Sequence, residues 1–146
     1  MTIIEMNESD AQKVVPLYID YYNHHEDSCW TETTATTRIT QVLSIRGGYS
    51  LMLVGDDGDA LGFAMGFFKQ YDDIVGYTLE EVVIAADHQH QGLGSALLRE
   101  LEGRVRTRGA SCIELEAVKD DLHDAFYGKL GFKNAGNATV KVKWFE

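Results

Sequence analysis

A single proline and two cysteines, Cys29 and Cys112, are all that 146 residues contain of these two types. So little proline excludes a proline-rich linker, and two cysteines are too few for a disulfide framework. No apolar run approaches the roughly 18 residues of a membrane span. The N-terminus, Met-Thr-Ile-Ile-Glu-Met, lacks the basic stretch followed by an apolar one that marks a secretion signal. Basic residues are scarce too, since 13 Lys and Arg against 23 Asp and Glu give a net charge of -10. Without a basic stripe, nucleic-acid binding is disfavoured. No Gly-x-Ser-x-Gly elbow is present. The histidines keep no ligand spacing with the cysteines, so no metal site is expected. The length suits one domain, residues 1–146, and a cytoplasmic location is the expectation.

What is present alternates between short apolar strands and helical patterns, with no repeat. Thr2–Met6 suits a strand. Asn7 or Ser9 can cap a helix running toward His25, within which Pro16 predicts a kink or short interruption. Thr34 to Arg46 suits a second helix ending at Gly47-Gly48. Ser50–Val54 and Ala60–Gln70 read as a hairpin about Asp56-Asp57-Gly58-Asp59. Then follow a Val- and Ile-rich strand over 77–86, a helix over 92–108 and a strand over 112–118. A helix over 121–130 and a C-terminal strand pair split near Gly136-Asn137 complete the order. The order predicts mixed α/β with a central, partly parallel sheet.

The junction at residues 89–95 is the most informative stretch. Gln89-His90-Gln91-Gly92-Leu93-Gly94-Ser95 follows the strand and opens the helix carried by Leu93, Leu97, Leu98, Leu101 and Val105. Strand, glycine turn and helix N-terminus together present free backbone N–H groups to an anion. A dinucleotide fingerprint would need Gly or Ala at Leu97, and an NTPase loop would need Gly-Lys-Ser/Thr. The pattern present is Gln-x-x-Gly-x-Gly, which resembles the Arg/Gln-x-x-Gly-x-Gly/Ala signature of the GCN5-related N-acetyltransferases (GNATs). Leu79-Glu80-Glu81-Val82-Val83-Ile84 resembles that family's fourth strand. Ala125-Phe126-Tyr127-Gly128-Lys129-Leu130-Gly131-Phe132 resembles its Phe-Tyr-x-x-x-Gly-Phe segment. The three motifs keep the family's order across residues 77–132, and the N-terminal third carries no such signature.

The resemblance implies an α/β fold with a central, mostly antiparallel sheet, a parallel, splayed pair formed by the fourth and fifth strands, and flanking helices. It implies acetyl-CoA as cosubstrate, with Gln89, His90, Gln91, Gly92, Leu93, Gly94 and Ser95 around the pyrophosphate. The backbone of Val82, Val83 and Ile84 would lie along the pantetheine arm. Asp120 stands where the family frequently has an Asn near that arm. As a carboxylate it can accept there but not donate. The loop itself carries no fixed positive charge, so phosphate binding must lean on amides, the helix dipole and His90. Tyr127 takes the family's general-acid place, and a phenol is protonated at neutral pH.

Acetyl transfer to an amine also requires removal of a proton from an ammonium of pKa ~10. Glu80 is the first candidate for a water-mediated base, as in polyamine acetyltransferases resembling this chain, and Glu81 the second. Strand alternation separates these neighbours onto opposite faces unless a bulge intervenes. Tyr18, Tyr21 and Tyr22 read as core or as lining of the acceptor pocket, and Cys112 as a small buried apolar residue. Acids crowd two stretches. Seven face only Lys13 in residues 1–37, and seven face only Lys69 in residues 56–81. By resemblance both border the acceptor, where they would concentrate a small cationic amine such as a polyamine, diamine or aminoglycoside. Solubility alone also accounts for them. A protein or peptide N-acetyltransferase and a non-catalytic acyl-CoA-binding module stay open. So does a homodimer through a Val140–Phe145 strand, which only the family's habits suggest.

Overall fold

Thr2–Met6 (β1) ends at Asn7, where two reciprocal hydrogen bonds turn strand into helix. Ser9 N donates to Asn7 Oδ1 and Asn7 N donates to Asp10 Oδ2, each at 3.0 Å. This capping box closes a 3₁₀ turn that runs into Ala11–His25 (α1). Pro16 lies inside α1 without interrupting it. Proline removes one ladder bond, while Val14, Val15 and Tyr18 on either side are buried and hold the helix in place. Glu32–Leu43 (α2) begins before Thr34 because Thr31 takes the cap, accepting from Thr34 N at 3.1 Å.

The computed structural model describes residues 1–146. They form two units, residues 1–116 and residues 117–146. In the first, Ser50–Val54 (β2) and Ala60–Gln70 (β3) make the expected hairpin, and its turn passes through Gly58 at φ +89°. Val75–Ile84 (β4), Leu93–Thr107 (α3) and Ala110–Leu115 (β5) follow. The five strands lie in sequence order in one sheet, antiparallel except for the parallel β4 and β5 pair. The mixed sheet and its flanking helices match the expected fold class.

Both faces of the sheet are covered, as its alternation requires. On one, Val14, Val15 and Tyr18 of α1 and Ala35, Ile39 and Val42 of α2 form a cluster with Met52, Phe63, Met65 and Val83. Leu51, Leu53 and Ala64, one residue out of phase, are buried outside that cluster. α3 contacts β2 to β5 and buries Leu97, Leu98, Leu101 and Val105. Each such side chain contributes about 1.5–3 kcal/mol over remaining in water. Cys112 is exposed on β5 and not buried as its residue type suggested.

The second unit holds Asp121–Lys129 (α4), which has no buried residue. The C-terminal strand pair expected around Gly136-Asn137 does not form, since residues 133–146 contain no strand. Val140, Val142, Trp144 and Phe145 are exposed there. Alternating Val and Lys gives a strand's pattern, but a strand also needs a ladder partner for its backbone.

Candidate active site

The site in the first unit begins with a fault in the β3 and β4 ladder. Met65 stands opposite Glu81 and Gly66 opposite Leu79, which leaves Glu80 as the extra residue of a β-bulge. Unbroken alternation would put Tyr77, Leu79, Glu81 and Val83 on one face. Instead Tyr77 is buried outside the α1 and α2 cluster, its hydroxyl donating to the Tyr49 carbonyl at 2.6 Å, while Val83 belongs to that cluster. Gly66 makes the bulge possible. A Cβ there would collide with the Thr78 carbonyl oxygen and lie 2.7 Å from Tyr77 Oη.

The bulge brings both carboxylates to Arg38 of α2. Arg38 Nη2 donates to Glu80 Oε2 at 3.0 Å, and Arg38 Nε donates to Glu81 Oε1 at 3.2 Å. Glu81 also accepts from Tyr18 Oη at 3.0 Å and from Tyr22 Oη at 2.5 Å. Its side chain is 9% exposed against 32% for Glu80. Glu81 is thus committed to three donors, whereas Arg38 takes only Oε2 of Glu80. Burial first, and then the Glu81 charge, raises the Tyr18 and Tyr22 phenols well above the ordinary tyrosine value. Burial pulls the Arg38 guanidinium down, but the hydrogen bonds and charges of Glu80 and Glu81 carry it above its ordinary value.

Beyond the bulge β4 has an open edge. β5 accompanies β4 no further than the Leu79 and Leu115 pair, while β3 continues to Ile84. Ala85 N donates to the Leu61 carbonyl at 2.8 Å. By alternation Val83 shares that direction, and the backbone groups of Val82 and Ile84 point to the open side. The Ile84 carbonyl there accepts from Gln89 Nε2 at 3.1 Å. Gln89 therefore braces the loop against the strand.

After it, His90 is left-handed at φ 62°, and so is Gly92 at φ 77°. Gly92 caps α3 with no side-chain hydrogen bond, and the first turn holds no acid. The amides of Leu93, Gly94 and Ser95 thus belong to an uncapped helix N-terminus, where an anion is favoured. An edge with alternating amide donors and acceptors suits a pantetheine arm, and the amides of α3 suit a pyrophosphate. The chain's groups fit acetyl-CoA.

Two expected site residues lie in the second unit. Asp120 Oδ1 accepts from His123 N and meets His123 Nδ1, each at 2.7 Å, so this carboxylate caps α4. The His123 amide and imidazole hold it below the usual carboxylate range. Tyr127 packs edge-on between Phe126 and Phe132, with ring centroids at 5.0 and 5.6 Å.

Of the expected residues, Glu80, Glu81, Val82, Val83, Ile84 and the 89–95 loop fall along one continuous stretch of the first unit. Arg38 escaped the sequence reading. The available signal was a lone arginine directly after the acid-rich residues 1–37. Tyr18 and Tyr22, one helical turn apart, pack in and against the core while their hydroxyls reach Glu81.

Comparison with known proteins identifies the family of the chain. The acetyltransferase (GNAT) family profile matches residues 11–132. A streptothricin acetyltransferase from Streptomyces lavendulae is 30% identical over 90 residues, 60% of this chain and 46% of its own. An uncharacterised N-acetyltransferase from Bacillus subtilis (strain 168) is 30% identical over 90 residues, 53% of this chain and 36% of its own. The chain thus spans less than half the length of these curated relatives. Among solved structures, a possible acetyltransferase from Clostridium difficile 630 shares the fold at a TM-score of 0.83 and 13% identity. That match covers 99% of this chain and 98% of the other. An aminoglycoside N-acetyltransferase solved with CoA does so at 0.75 and 16%, covering 97% and 93%. With the family profile spanning most of its length, this chain belongs to the GNAT acetyltransferase family.

Proposed function

We propose that this protein moves an acetyl group from acetyl-CoA to the primary amine of a small cationic acceptor, by direct transfer in a ternary complex. The observation that carries the reading is the bulge at Glu80, which puts two carboxylates on one face where β4 opens its edge. Glu80 takes the acceptor's proton through a water, because it is partly exposed and keeps Oε1 uncommitted, while Glu81 holds Arg38 and two tyrosines. Acetyl-CoA, when bound, supplies an activated thioester. The Val82 and Ile84 backbone and the first turn of α3 orient it, and two reactants held at near-attack distance avoid a large entropic barrier. Tyr127, by the family's assignment, holds at Oη the proton that the leaving group takes. The acid-rich stretches favour a cation. The relatives named for streptothricin and aminoglycosides support a small-molecule acceptor.

The test is CoA release from acetyl-CoA across spermidine, short diamines, aminoglycosides, amino acids and lysine peptides, with Tyr127→Phe alongside. Turnover confined to small cations and reduced at least about 10-fold in Tyr127→Phe is expected. Turnover with lysine peptides alone assigns a protein acceptor. Acetyl-CoA binding with no turnover assigns a regulatory module.

A further inference from the structure

We propose that Arg38 is a stand-in for the acceptor's ammonium: it orients Glu80 and occupies the charge a cationic amine would bind, trading acceptor affinity for turnover. The inference rests on the proposed role of Glu80. Ala35 and Ile39, on either side of Arg38 in α2, are fully buried, so the guanidinium projects from a fixed helix. Its two ends are held differently. Nε meets Glu81, 9% exposed and fastened by Tyr18 and Tyr22, whereas Nη2 meets Glu80, 32% exposed. The Glu81 end is an anchor and the Glu80 end is the more exposed one, where another cation can compete.

Charge defines the competition. Two carboxylates and one guanidinium leave a single uncompensated negative charge, so an arriving ammonium meets half the attraction the bare pair would offer. A guanidinium also differs from an ammonium in geometry. Its rigid fork spans both carboxylates, while a lysine ammonium is a point charge that keeps the compensation without the fork. Charge and orientation are therefore separable by substitution.

The experiment measures KM and kcat for spermidine and a short diamine with wild type, Arg38→Gln and Arg38→Lys, at low and high salt. Arg38→Gln is expected to lower KM about 5-fold and kcat about 10-fold, with the KM difference shrinking in salt. Arg38→Lys is expected to keep KM near wild type and to lose kcat. A KM that rises or stays level in folded Arg38→Gln overturns the proposal. Should Arg38→Gln fail to fold, the lysine variant decides, and unchanged kcat there overturns it. Calorimetric binding of spermidine without coenzyme separates this inference from the proposed activity. If wild type acetylates no amine, the transfer reading fails. Tighter spermidine binding in the Arg38 variant would still support the charge competition, and equal or absent binding would end it.

Discussion

The two halves of β4 use one strand for opposite purposes. From Val75 to Leu79 it is paired on both sides, by β3 and by β5. Tyr77 and Leu79 are buried there, and the half is structural. From Glu80 to Ile84 only β3 remains, and the strand presents backbone groups on one edge and two carboxylates on one face. Pairing along both edges satisfies most of a strand's backbone groups, and an unpaired edge leaves such groups available to a ligand. The bulge at Glu80 is the boundary between them.

Substitutions can break that division. The largest effect is expected at the boundary. Gly66→Ala drives a methyl into the Thr78 carbonyl and should lower stability by about 3 kcal/mol or more in urea unfolding. Retained wild-type stability there would mean the bulge is dispensable. Glu80→Gln should cut kcat/KM about 100-fold while shifting stability by less than about 1 kcal/mol. Glu81→Ala leaves the Tyr18 and Tyr22 hydroxyls and Arg38 Nε without their acceptor and should cost about 2 kcal/mol of stability. Equal turnover losses with equal stability losses in the two variants would dissolve the distinction between base and anchor.

The smallest effect concerns alkaline pH. Burial raises the Tyr18, Tyr22 and Tyr77 phenols above the ordinary tyrosine value. Unfolded tyrosines release protons near pH ~10, so above that pH the folded state binds more protons than the unfolded one. Their contribution is complete below pH ~10 and falls as pH rises. Tyr22→Phe should flatten that decline in thermal midpoints read from pH 9 to 11. An unchanged slope would remove Tyr22 from the alkaline limb.

The elements were legible wherever local pattern decides. Asp56-Asp57-Gly58-Asp59 marked a hairpin whose strands have the expected bounds, and Leu93 to Val105 marked α3 within a residue at each end. The interruption considered at Pro16 does not occur, because a local penalty cannot register the buried neighbours that keep α1 continuous through it. The C-terminal Val and Lys alternation misled, because pattern supplies no partner strand.

By itself the sequence determined the order of elements as far as α4, the glycine turn before α3 and the acidic pair on β4. These follow from periodicity and turn chemistry, which act over a few residues. Tertiary structure decided that Glu80 and Glu81 share a face, that Arg38 bridges them and that Glu81 is the anchored one. A bulge exists only relative to the neighbouring strand, and Arg38 reaches Glu81 across 43 positions of chain. No local window holds either fact, because each is fixed by how the helices and the sheet pack.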